Sequence, residues 1–402
     1  MEKPRFPSFH IKVDPADYEP AAVFDRENLQ TMRESESFWR QGFGRLKRNK
    51  IAMASLIVII LFIIGAFIVP AFYPYSYEQQ IRGSENLKPM EYSAAEQERM
   101  EDGESVFPHF MGTDQLGRDY MIRLFMGSRI SLLVGLIASA LILIIGSIYG
   151  SVAGYMGGRV DNVMMRIVDI IYTVPDILVI ILLMVTLKFP LKSLADSVPG
   201  FSWINTVGVS LICIFITFSL LYWVGMSRIV RSQILSLKQQ EYITAARALG
   251  AGSGRIIFRH LLTNSIGVLI VTTTLQIPAS IFVESFLSFL GIGVSAPMPS
   301  LGSLASDALT GMRSYPYRLV SAAAMICLLI LSFNLFGDGL RDAFDPKLKQ
   351  GEEGASGSGK TRRKNRNKSI DNESINGDNN NGNNGYDADK DGKNNYADEK
   401  GS

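Results

Sequence analysis

Cysteine and histidine are both scarce in this 402-residue chain. The two cysteines, Cys213 and Cys327, each fall in a long apolar run, so neither a disulfide framework nor a zinc pattern can be built from them. His10, His109 and His260 stand too far apart for metal-ligand spacing. No nucleophile lies at a recognisable spacing from a base, so nothing points to covalent chemistry on this chain. The opening stretch, MEKPRFPSFHIKVDPADYEP, lacks the apolar core of a cleaved signal peptide. Residues 350–402 hold almost no apolar side chains, and a segment of that composition cannot bury enough surface to fold. A net charge of +2 gives no ground for a nucleic-acid partner.

The apolar residues are concentrated in runs. IAMASLIVIILFIIGAFIV from Ile51 and SLLVGLIASALILIIGSIYG from Ser131 carry no charge. About 20 helical residues at 1.5 Å each cross a bilayer core of about 30 Å. Six such spans are expected, at 51–72, 130–154, 165–187, 204–227, 266–290 and 317–337. The fold class is therefore all-α, a polytopic membrane protein with six transmembrane helices and a disordered C-terminal tail. The third span contains Asp169 and Asp176; Gln276 and Glu284 interrupt the fifth.

Charge orients the spans. Arg45, Lys47, Arg48 and Lys50 precede the first, and the loop at 228–265 carries Arg228, Arg231, Lys238, Arg247, Arg255 and Arg259. Basic flanks collect on the cytoplasmic side, so both termini are expected inside. The connections at 188–203 and 291–316 hold only Lys188, Lys192 and Arg313. The segment 73–129 is acidic in its first half and is expected outside. That divides the chain into a cytoplasmic segment 1–50, a first transmembrane helix 51–72, an extracytoplasmic segment 73–129, a core 130–349 with five more transmembrane helices, and a cytoplasmic tail 350–402.

Within the outer segment, Leu116, Tyr120, Leu124 and Phe125 share one face at helical spacing. The stretch 112–129 reads either as a surface amphipathic helix or as a loop packed on the spans. The inner loop is more informative. Ala245, Ala246 and Ala248 favour a short helix over 239–249. Gly250 and Gly252 suit its end, since glycine accepts the left-handed conformation. A second helix over 255–262 then leads into the fifth span, with Thr263 as the cap of that span.

Polar groups inside spans are costly and suggest function. Glu284, beside Phe282, Val283 and Phe286, either lines an interior path between the spans or sits near their outer end, paired or wetted. Asp169, Asp176, Arg159 and Arg166 suit salt bridges or snorkelling. Asn334 suits an interhelical hydrogen bond. The stretch GASGSGKT, from Gly354, fits the phosphate-loop pattern G-x-x-x-x-G-K-[ST]. A working phosphate loop follows a buried strand and opens a helix. This one follows DPKLKQGEE and precedes RRKNRNKS, so it reads as linker composition. The nearby cluster Lys360 to Lys368 suits anionic lipid.

The inner loop resembles the coupling loop of ABC importer permeases, E-A-A-x-x-x-G followed after about nine residues by I-x-L-P. The matching positions are Thr244-Ala245-Ala246 and Gly250, then His260, Leu262 and Thr263. Three residues depart from the pattern: Thr244 replaces the glutamate, His260 the isoleucine and Thr263 the proline. Glu241 stands near enough to supply part of the missing charge. GTDQLGRD from Gly112, SFLGIGVSAPMPSLG from Ser288 and FNLFGDGLRDAFDP from Phe333 are similar to segments of the oligopeptide/dipeptide permeases, and the likeness spans about 38–349.

The resemblance implies a transport subunit in a prokaryotic cell membrane, with no enzyme activity or cofactor of its own. Its partners would be a second homologous permease, two cytoplasmic ATPase subunits holding ATP and magnesium, and an extracytoplasmic peptide-binding protein. Glu241, Thr244, Ala245, Ala246, Gly250 and Leu262 would couple the spans to an ATPase through 239–263, driving alternating access. Related permeases also carry nickel chelates and other small solutes. A single-chain ATPase would need GASGSGKT to work. A secondary transporter would need an internal repeat, and none is evident.

Overall fold

The computed structural model describes residues 38–344. GASGSGKT, the cluster Lys360 to Lys368, His10 and the rest of both ends lie outside them. Helices account for the regular structure of the described residues. They are α1 (Phe38–Arg48), α2 (Lys50–Phe72), α3 (Ala94–Glu101), α4 (Tyr120–Met156), α5 (Gly158–Thr173), α6 (Asp176–Ser197), α7 (Trp203–Val207), α8 (Val209–Leu237), α9 (Glu241–Ala248), α10 (Ser253–Phe289), α11 (Leu301–Leu309) and α12 (Pro316–Phe344). Six of these, α2, α4, α6, α8, α10 and α12, are long and apolar enough to cross a membrane.

Helix α4 is the central post, in contact with α2, α5, α8, α10, α11 and α12. Small residues let its neighbours close in. Gly146, Gly150 and Gly154 recur every four residues, which places them on one face. A Cβ at Gly146 would sit 2.6 Å from Met226, one at Gly150 would collide with the Ser227 carbonyl, and one at Gly154 would be 3.0 Å from the Arg231 carbonyl. Backbone-close packing of this kind is how helices associate where there is no water to drive them together. A core of Leu124, Leu132, Ile281, Leu301, Leu304 and Leu329 ties α4 to α10, α11 and α12. Much of the apolar surface of α2 and α6 remains exposed on the single chain, as expected of helices that face lipid or another subunit.

Several boundaries differ from the sequence expectations. The expected third span, 165–187, is broken at Val174–Pro175. The residue before proline is pushed out of the helical region, and Val174 is extended (φ −84°, ψ 136°), so the apolar span α6 starts only at Asp176. The other long helices overrun the hydrocarbon length: α8 runs on to Leu237, α10 starts at Ser253, and α12 reaches Phe344. Their polar ends are held by other helices, a support that a hydropathy window does not register.

The stretch 112–129 is not a separate surface helix. Gly112 to Asp119 forms a tight loop and α4 begins at Tyr120. The loop explains its own sequence, GTDQLGRD. The Thr113 hydroxyl donates to the Ser84 carbonyl and accepts from the Leu87 amide. The Asp114 carboxylate accepts from the amides of Leu116 and Arg118 at 2.8 and 3.0 Å. Gly117 has φ +70°, and a Cβ there would strike the Ile81 carbonyl. Asp119 caps α4, accepting from the Ile122 amide at 3.0 Å.

Candidate functional site

At one end of the bundle the short exposed helix α9 is held against α8 and α10. Glu241 opens α9, and an acidic residue in the first turn complements the helix dipole. One side chain anchors it: Ile243, 1% exposed, enters a cluster with Ile234, Ile256 and Leu261. At about 25 cal/mol per Å² of apolar surface, such a side chain stabilises the docked helix by roughly 2 kcal/mol. Polar contacts fix its position. Asn264 Nδ2 donates to the Tyr242 hydroxyl at 3.1 Å and to the His260 carbonyl at 2.8 Å. The Arg247 guanidinium lies 5.8 Å from the Tyr155 ring centre, and Lys238 Nζ donates to the Tyr155 carbonyl.

Helix α9 ends in a Schellman motif. The Ala251 amide donates to the Ala246 carbonyl and the Gly250 amide to the Arg247 carbonyl, both at 3.0 Å. This needs a left-handed residue, and Gly250 has φ +81°. The expected helix–glycine turn–helix form is therefore present, with tighter bounds than 239–249. Of the residues expected to act here, Glu241, Thr244 and Ala245 are exposed on α9, Ala246 is half-buried and Gly250 is exposed with open space around it. Leu262 is half-buried against the Ile243 cluster. The second helix does not stop for a cap at Thr263. Residues Ile256–Leu261 form a π-helical turn inside a continuous α10, and the Thr263 hydroxyl donates back to the Phe258 carbonyl at 3.3 Å.

Leu249 is a docking candidate that the sequence pattern did not bring out. It is 89% exposed at the turn, with Phe258 and Tyr242 also exposed nearby. It leaves apolar surface uncovered beside the Gly250 turn. Its signal was the position immediately before Gly250, where a helix end projects its last side chain.

Two ion pairs join α8 to α5 beside this end. Arg231 makes a two-point contact with Asp161, 2.5 Å at each, and Arg228 Nη2 lies 2.9 Å from Asp169. Asp176 accepts from the Tyr222 hydroxyl at 3.4 Å. Of the four residues expected in salt bridges or snorkelling, Asp169 makes an ion pair, while Asp176, Arg159 and Arg166 are exposed and make none among the described residues. Asn334 is exposed on α12 and makes no side-chain hydrogen bond among the described residues, so the interhelical bond expected of it is absent from this chain.

Glu284 lies in the interior. It is 0% exposed, and its carboxylate accepts from Ser131 Oγ of α4 at 2.8 Å, Ser288 Oγ at 2.7 Å and Ser285 Oγ at 3.4 Å. Ser288 also accepts from the Val294 amide at 3.0 Å, which joins the carboxylate to the loop after α10. The group therefore faces the α4–α10 contact and not an open path. Of the two positions open from sequence, lining a path or being paired, the hydrogen bonds to the serines agree with the paired one. Ser131 is 153 positions away in sequence.

At the opposite end, α3 and the 73–119 segment close over the start of α4. Ser93 and Glu96 form a reciprocal capping box on α3. His109, fully buried, bridges Glu96 and Asp119, with Nε2–Oε1 3.1 Å and Nδ1–Oδ2 2.7 Å. Burial opposes charge on the imidazole. The hydrogen bond and negative charge of Asp119, and then those of Glu96, outweigh it and hold the pKa above its ordinary value. Three chemically different groups, the α3 cap, His109 and the α4 cap, are thereby locked together.

Residues 146–350 match the family described as binding-protein-dependent transport system inner membrane component, and residues 37–89 match the N-terminal TM domain of oligopeptide transport permease C. The chain belongs to this permease family. It is 41% identical over 333 residues to the oligopeptide transport system permease protein OppC of Bacillus subtilis, covering 83% of this chain and 97% of that one. It is 42% identical over 327 residues to the dipeptide transport system permease protein DppC of the same organism, covering 81% and 91%. Against the OppC of Escherichia coli K12 the identity is 37% over 314 residues, covering 78% and 93%. As a member of the family the chain is a membrane-embedded transport subunit, not an enzyme, of the ABC permease class, which works with ATPase and substrate-binding partners.

Proposed function

We propose that this permease forms half of the translocation pathway of an ATP-driven importer for oligopeptides or dipeptides. A second, similar permease forms the other half. Two ATPase subunits, which hold ATP and magnesium, dock at the α9 end, and an extracytoplasmic binding protein delivers cargo at the α3 end. The α9 end then lies in the cytoplasm, in accord with Arg45, Lys47 and Arg48 in the last turn of α1 and with the basic residues of 228–265. The peptide cargo rests on the names of the relatives.

The observation that carries the coupling role is the construction of α9. Ile243 and Asn264 fix it to α10, Lys238 and Tyr155 tie its approach to α4, and its free surface ends in Leu249 at the Gly250 turn. A push on that surface is passed to both helices, because a short helix with a buried anchor moves as a unit. The test is reconstitution with the partner subunits. Leu249→Asp removes an apolar contact of a kind often worth ~2 kcal/mol, about thirtyfold in docking, while leaving the exposed turn folded. Cargo-stimulated ATP hydrolysis and uptake should both fall. Unaltered coupling in both Leu249→Asp and Gly250→Trp would exclude docking through this turn.

A further inference from the structure

A pocket of about 350 Å³ opens where the end of α2 meets α4. Tyr73, Tyr75, Ser76 and Tyr77 line it from the chain that leaves α2, and Arg129 lines it from α4. Two of the tyrosine hydroxyls are already engaged: Tyr73 donates to Asp119 at 3.2 Å and Tyr75 to the Phe107 carbonyl. Burial and then Glu78 push the Tyr77 hydroxyl up to about 12, against the nearby positive charge of Arg129, so it stays protonated beside that guanidinium. Glu78 itself is exposed and outside the pocket wall.

Arg129 makes no hydrogen bond or ion pair among the described residues. It is part-exposed, and its guanidinium nitrogens reach the surface. Phe67 of α2 holds it in place, with the guanidinium carbon 4.8 Å from the ring centre. Phe67 stands five residues before Phe72, the last residue of α2. At 1.5 Å per residue that is about 7.5 Å short of the end of a helix about 34 Å long. The guanidinium therefore sits at the edge of a hydrocarbon core of about 30 Å. A charge at that level draws a headgroup phosphate or water to itself. Below Phe67 the same face of α2 presents Ile60, Ile63 and Ile64, all exposed, as an apolar track leading away from the pocket.

We propose that this pocket binds the phosphate group of a membrane phospholipid, held by the Arg129 guanidinium, with an acyl chain lying along Ile64 and Ile60 of α2. The ring of Phe67 covers a face of the guanidinium and leaves its edge of N–H donors for two phosphate oxygens. Position decides the source of the phosphate. A free anion would satisfy Arg129 and leave the adjoining isoleucines bare, whereas a lipid covers both. Arg129 and Phe67 belong to different helices, so an occupied site joins α4 to α2 at this end of the bundle.

The full chain, purified with its partner subunits in dodecyl maltoside, a detergent without phosphate, is titrated with dioleoyl phosphatidylglycerol, dioleoyl phosphatidylethanolamine or dioleoylglycerol. Native mass spectrometry counts the bound lipid, with and without sodium phosphate as competitor. The expected result is saturable binding of a phospholipid with either headgroup, weakened about tenfold or more in Arg129→Gln. Dioleoylglycerol should bind weakly and equally to both proteins. Ser76→Trp, at the exposed rim, narrows the pocket with Arg129 intact, and it decides the matter if Arg129→Gln does not fold. Phospholipid binding undiminished in Arg129→Gln, or in Ser76→Trp when Arg129→Gln does not fold, overturns the proposal. So does dioleoylglycerol that binds as tightly as the phospholipids. Sodium phosphate that displaces the lipid at equal concentration also overturns it, and assigns the site to a free anion.

Discussion

Arg231 of α8 grips Asp161 of α5 at two points, each 2.5 Å, across 70 residues of sequence. The pair stands where α8 passes Gly154 of α4, so it clamps α5 to the helix pair that supports α9. Asp161 is largely buried and Arg231 is about one-third exposed.

Removing one partner should therefore cost more than a surface pair and less than a fully buried one. Asp161→Ala is expected to destabilise by roughly 1–3 kcal/mol. Thermal unfolding of the single variants and of Asp161→Ala/Arg231→Ala, taken as a double-mutant cycle, reads the coupling. Additive losses would show that the clamp contributes nothing.

Glu284 is expected to act on stability before transport. Glu284→Ala strands the hydroxyls of Ser131 and Ser288 in the interior, and each buried orphan costs about 1–3 kcal/mol. Glu284→Gln keeps an acceptor for part of that network and should cost less. A Glu284→Ala protein with an unchanged unfolding temperature but lost uptake would instead place the carboxylate in the pathway.

His109 gives the α3 end a pH dependence of defined sign. Its pKa is raised in the folded state, above an unfolded value of about 6.5. The stabilisation from its charged form is complete below that unfolded value and is lost as pH rises through the folded pKa. Amide exchange across Ala94–Glu101 should thus be slowest below the unfolded pKa and speed up as pH rises through the folded one, after correction for intrinsic exchange. His109→Asn should flatten the profile. Protection that increases with pH would contradict the assignment.

Much of the architecture was legible because it is encoded locally. An uncharged run long enough to span a bilayer has few alternatives, so six spans could be read without contacts. The α9 turn was legible for the same reason: Ala245, Ala246 and Gly250 express helix propensity and left-handed freedom within a dozen residues. Pro175 acts locally too: it pushes Val174 out of the helical region and divides the expected third span.

The tertiary structure decided what depends on distant partners. Ser131 turns Glu284 from a pathway candidate into a packed carboxylate. Glu96 and Asp119 raise the pKa of His109 against the effect of its burial. Sequence alone determined that six runs are long and apolar enough to span, because hydrophobic transfer acts over neighbouring residues. The placement of each buried polar group was left to the fold, because the cost of burying it depends on which hydrogen-bond partners the packed helices bring within about 3 Å.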